Sequence, residues 1–128
     1  MRSLCLVLAL IASSASAAEI DFSTIIQGPD GPFKECRQYD QTGGKCLELI
    51  DLTLRRLCVT AAALPEKDAP IVEQVKHGKL ASDLVAADRM ALSAEDVAFL
   101  KRNIAKLGYS TMAVYQAIKQ LDPVSVEK

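Results

Sequence analysis

LSAEDVAFLKRNIAKLG (Leu92–Gly108) is the stretch from which the fold class is read. Ser93 stands three residues before Asp96, close to the capping-box spacing in which a hydroxyl accepts from the N3 amide. Glu95 and Asp96 suit the positive start of a helix. Val97, Leu100, Ile104 and Leu107 recur at three and four residues and form one apolar stripe. Gly108 then follows where a helix commonly ends in a left-handed residue. The pattern predicts one amphipathic helix with its own start and stop.

The same period continues on both sides. After Ser110, Met112, Tyr115, Ile118 and Leu121 lie on or near one face, and Asp122-Pro123 ends the run. Upstream, Leu54, Leu57, Cys58, Ala61 and Leu64 mark a helix beginning near Asp51, with Asp51 or Thr53 as its cap and Pro65 as its end. A further helix is expected from about Pro70 to Ala87, with Asp68 near its cap. Its pattern is divided. Ile71, Val72 and Val75 share a face, while Leu80 and Leu84 point almost oppositely at about 100° per residue. Gly78, between the two groups, costs a helix about 1 kcal/mol against alanine. The expected fold is therefore mainly α: a four-helix domain over 51–122, a fraying tail at 123–128, and an N-terminal β-hairpin within an extended region at 18–50.

The hairpin is read from FSTIIQ (Phe22–Gln27), whose β-branched and aromatic residues favour a strand. Gly28-Pro29-Asp30-Gly31 is a turn signal, and Pro32–Cys36 would be the returning strand. Tyr39–Lys45 is a second turn. Phe22 and Phe33 are expected to bury this hairpin against the helices, and Tyr39 to join them in an aromatic patch if that patch stays exposed.

Ahead of all this, residues 1–17 resemble a secretory signal peptide. Arg2 is followed by the uncharged apolar run Leu4–Ala12 and by the small-residue pattern Ala15-Ser16-Ala17. Nine apolar residues are too few for a bilayer span, which needs about 20. The expectation is a cleaved leader, export to the periplasm or beyond, and no stable membrane insertion afterwards. The full chain has a formal net charge of −1; loss of Arg2 makes it about −2 with signs interspersed. That excludes the concentrated basic face of a nucleic-acid binder.

Of four cysteines, Cys5 would leave with the leader. An oxidising compartment makes a disulfide among Cys36, Cys46 and Cys58 plausible. Cys36 and Cys46 flank a turn-rich loop, which favours their pairing, and Cys58 falls on an apolar helix face. Pairings of Cys58 with either partner, or no bridge, stay open. The cysteine spacings fit no common zinc pattern, and His77 is the single histidine.

No catalytic, cofactor or metal motif emerges. Thr42-Gly43-Gly44-Lys45 lacks the first glycine and the final Ser/Thr of a phosphate loop. His77, between Lys76 and Lys79, reads as an exposed surface histidine without an orienting partner. Asp83, Asp88, Glu95 and Asp96 lack calcium-loop spacing and read as surface and capping charges. Met112, Tyr115 and Ile118 read as core or, on a loosely packed final helix, as a docking face for a protein partner.

Within Leu52–Pro123, the segment Thr53-Leu54-Arg55-Arg56-Leu57-Cys58-Val59, the Lys79-Leu80-Ala81 helix, the Leu92–Asp96 helix start and Val114-Tyr115-Gln116-Ala117, together with the upstream Asp30–Phe33 turn, resemble short proteins encoded by bacteriophages and prophages. The resemblance implies a small helical protein of undefined role and no catalytic residues. The export signal departs from that pattern and speaks against assembly in the host cytoplasm. The expected function is thus a small exported, non-enzymatic interaction or structural protein. The alternatives are an inhibitor or accessory of a cell-envelope enzyme acting through Tyr39–Lys45, an uncleaved phage structural component, and an enzyme with a site of scattered residues.

Overall fold

The computed structural model describes residues 19–122. Residues 1–18, which hold the expected leader, and the expected tail at 123–128 lie outside the described residues. Ten elements follow one another: β1 (Ile20–Asp21), β2 (Gln27–Gly28), β3 (Gly31–Pro32), β4 (Lys34–Tyr39), β5 (Cys46–Asp51), α1 (Leu54–Ala62), α2 (Ile71–Ala86), β6 (Arg89–Met90), α3 (Ala94–Ile104) and α4 (Thr111–Leu121).

The helix starts follow local chemistry. The hydroxyls of Thr53, Ser93 and Ser110 accept from the amides of Arg56, Asp96 and Ala113, so three of the four helices carry a side-chain cap. Asp68 does not cap α2, which opens on Pro70 with no side-chain cap bond. Gly108 does take the left-handed conformation, at φ 81°.

The expectation of a mainly α fold is corrected. Among the described residues, four helices stand beside three two-stranded antiparallel sheets, β1–β6, β2–β3 and β4–β5, so their architecture is α+β. The expected hairpin is also shorter than the sequence suggests, and a longer one lies beyond it. Phe22–Gln27 and Pro32–Cys36 pair only next to their turn, where Gln27 opposes Pro32 and the Phe33 N–H donates to Ile26 O at 2.9 Å. The Gly28–Gly31 turn closes only the two-residue ladder β2–β3. The long hairpin is β4–β5, closed by the Tyr39–Lys45 turn and paired from Lys34↔Asp51 to Tyr39↔Cys46 with bulges at both ends of Gln38. The physical reason is that Phe22 and Ile26 are core residues, fully buried. Their segment is held by long-range bonds: Phe22 N–H to Asp88 O at 2.8 Å, Ile26 N–H to Leu52 O at 2.8 Å and Arg55 N–H to Phe22 O at 2.9 Å.

Helix α1 is the centre of the molecule and packs against α2, α3 and α4. Its buried side is Leu54, Leu57, Cys58, Ala61 and Ala62. Leu80, Leu84, Phe99, Leu100, Ile104, Ala113, Ala117 and Leu121 meet it from the other helices. The C-terminal carbonyls of α2 would otherwise lack partners. Arg55 supplies them, donating to Leu84 O and Ala87 O at 3.2 Å each while pairing with Asp88. One buried polar side chain crosses the core: Asn103 Nδ2 donates to Ala61 O at 3.0 Å.

Candidate functional site

Two surfaces carry unusual chemistry: the outer part of the β4–β5 hairpin and a groove between α2 and α3.

The hairpin is anchored at its base. Lys34 pairs with Asp51 across the strands. Glu35 lies 2.7 Å from Arg56 Nε on α1, and its other oxygen accepts from the Tyr109 hydroxyl at 3.3 Å. Contact with Glu35 raises the Arg56 pKa, whereas burial first, and then Glu35, raises that of Tyr109. Cys36 and Cys46 are joined by a disulfide, with Cα atoms 5.8 Å apart. Among the described residues Cys58 is the free thiol; it is buried, and burial pushes its pKa up to about 12.

Beyond that base, Tyr39, Leu47 and Leu49 are 58%, 57% and 64% exposed. The sheet has only two strands, so each strand has an outer edge without a strand partner among the described residues. The tip is held by its own side chains. Asp40 accepts from Thr42 Oγ1 at 2.8 Å and from Gly44 N–H at 3.1 Å, which lowers its pKa, the Thr42 contact most. Thr42-Gly43-Gly44-Lys45 is therefore a hairpin turn, with Gly43 at φ 73°. A strand follows it, not the helix N-terminus that a phosphate loop requires.

The groove between α2 and α3 has a volume of about 440 Å³. It corrects the expectation for His77. The imidazole is not an open surface group: its side chain is 15% exposed and stacks on Phe99, with ring centroids 3.7 Å apart and planes within 12°. Its nitrogens lie 3.8 Å from a Glu66 oxygen and 3.7 Å from a Glu73 oxygen. No hydroxyl or thiol lines this groove; its polar lining is Glu66, Glu73, Lys76, His77, Glu95, Asp96 and Arg102.

The four acidic residues do not assemble. Asp83 pairs with Lys79, Asp88 with Arg55 and Glu95 with Lys76, while Asp96 sits in the first turn of α3. Among the described residues no group of three or more His, Cys, Asp or Glu side chains is placed to hold a metal ion. No described helix is long and apolar enough to cross a membrane.

On α4 the core stripe is Ala113, Ala117 and Leu121. Met112 and Tyr115 face outward, 45% and 59% exposed, and Ile118 is half-buried. Leu47 and Leu49 were not apparent as site residues. The signal for them is the short apolar run Cys46-Leu47-Glu48-Leu49-Ile50, broken only by Glu48, of strand length in a segment otherwise read only as following a turn.

No family model, curated protein or solved structure matches this chain.

Proposed function

We propose that this chain is a small exported, non-enzymatic interaction protein that binds a protein partner in the cell envelope through the stapled β4–β5 hairpin. The observation that carries this reading is the exposure of Tyr39, Leu47 and Leu49 on a ribbon with open outer edges. Exposed edges and apolar side chains together are ordinarily avoided in soluble proteins. A partner strand laid on such an edge satisfies the backbone groups and covers the leucines. The disulfide suits an oxidising compartment. Inhibition of, or service to, a cell-envelope enzyme is the form of this reading that best uses a rigid, presented loop. The resemblance over 52–123 adds phage or prophage derivation to the proposal.

A photo-crosslinking amino acid at position 47 or 49, used in the producing cell, tests it. The expected result is one reproducible crosslinked envelope protein, lost when Tyr39→Ala is added. The exposure of Met112 and Tyr115 favours a second reading, in which α4 is the docking face. Crosslinks from position 115 and none from 47 or 49 would select it. Mass measurement of the purified N-terminus separates both from an uncleaved structural component, which would retain Met1.

A further inference from the structure

We propose that α2 is a self-association helix, pairing antiparallel with α2 of a second copy of this chain about a two-fold axis beside Gly78. The helix is apolar on two opposite sides. Leu80 and Leu84 are buried inward against the core. On the other side, Ile71, Val75, Gly78, Ser82 and Val85 follow one another at spacings of four, three, four and three, and all are exposed. Ile71, Val75 and Val85 are 78%, 66% and 62% exposed, and Val72 beside them is 77% exposed. This uncharged stripe runs nearly the full length of the helix, and its spacing is that of the seam between two packed helices.

Three features select a second copy as the occupant. First, the stripe is near-symmetric about its centre. Antiparallel pairing sets Ile71 on Val85 of the other copy, Val75 on Ser82, and Gly78 on Gly78. A two-fold contact requires such self-complementarity. Second, no backbone conformation or close neighbour among the described residues requires a glycine at position 78. Its backbone φ is not positive, and a Cβ built there would meet nothing within 4 Å. A mid-helix glycine costs about 1 kcal/mol against alanine, and close approach of another backbone is what its missing side chain permits. Third, the flanking cations are neutralised at home. Lys79 pairs with Asp83 at 3.0 Å and Lys76 with Glu95 at 3.0 Å, so two identical faces meet without like-charge repulsion and offer little to select an oppositely charged partner. One helix pair buries less than the roughly 800 Å² per partner of a standard interface, so the association is weak, on the order of micromolar or above.

Sedimentation equilibrium tests this on protein made from the full coding sequence and purified with its disulfide formed. The expected result is a monomer–dimer equilibrium. Val75→Asp should leave only monomer over the same concentrations. Gly78→Leu should weaken the dimer at least ten-fold while the melting temperature of dilute monomer holds or rises, because the position is open and leucine favours helix. A wild-type protein that stays monomeric to about 1 mM overturns the proposal. So does a dimer that survives both substitutions, or monomer that binds lipid vesicles through this face without dimerising.

Discussion

Glu35 on β4 and Arg56 on α1 stand 2.7 Å apart, and this contact joins the projecting hairpin to the central helix. Tyr109 completes the junction by donating to the same carboxylate. The hairpin has few other ties to the helices, so its orientation depends on this partly buried group. Glu35→Ala should destabilise the protein by about 1–2 kcal/mol, the range for a charged hydrogen-bonded group left unpaired. Urea unfolding measures that loss. Hydrogen exchange should quicken in β4 and β5 more than in α1.

Asn103 is the buried polar residue of the core, 2% exposed, and its amide donates to Ala61 O at the end of α1. Asn103→Ala removes that bond and leaves a small void. A loss of about 2–3 kcal/mol is expected, as for other buried groups deprived of their partner. Asn103→Leu keeps the volume without the bond and should recover only part of it. Thermal denaturation of the two variants distinguishes packing from hydrogen bonding.

Cys58 is held as the neutral thiol by burial, its pKa pushed up to about 12 from 9.0. Because the folded value lies above the unfolded one, this group contributes stability that is fully present below about pH 9 and is lost as pH rises towards 12. Stability measured from pH 8 to 11 should fall over that window, and Cys58→Ala should flatten the fall. At neutral pH a thiol reagent should label Cys58 only as fast as the protein opens.

Reduction of Cys36–Cys46 should loosen the hairpin and spare the helical core, because the bridge lies within β4–β5. The chain-entropy model gives about 2.5–3 kcal/mol for a loop of this size. Far-ultraviolet dichroism should keep its helical signal after reduction while amide exchange between Tyr39 and Leu49 accelerates.

Asp40 organises the tip, and its pKa is lowered chiefly by the Thr42 hydroxyl. A lowered folded value means the contribution is present above the ordinary carboxylate range near pH 4 and is lost as pH falls below it. An NMR titration should show the Gly44 amide moving with the Asp40 carboxyl in acid. Asp40→Asn should remove that step.

The sequence by itself determined the features that neighbouring residues decide. Thr53, Ser93 and Ser110 cap their helices because hydroxyl and amide lie within one turn. The short turn-rich loop favoured the pairing of Cys36 with Cys46, and the structure decided it by forming that bridge and burying Cys58 in the core. Tertiary structure alone decided what depends on distant partners. Ile20–Asp21 finds Arg89–Met90 some seventy residues away, a pairing that no local signal announces, and the burial of Phe22 and Ile26 in the core is what keeps the hairpin at Gly28–Gly31 short. His77 looks exposed between two lysines, yet Phe99 of another helix supplies its stacking surface. On α2 the sequence holds two apolar faces of similar strength. Packing against α1 buried Leu80 and Leu84 and left Ile71, Val72 and Val75 outside, because only one side of a helix can face the core.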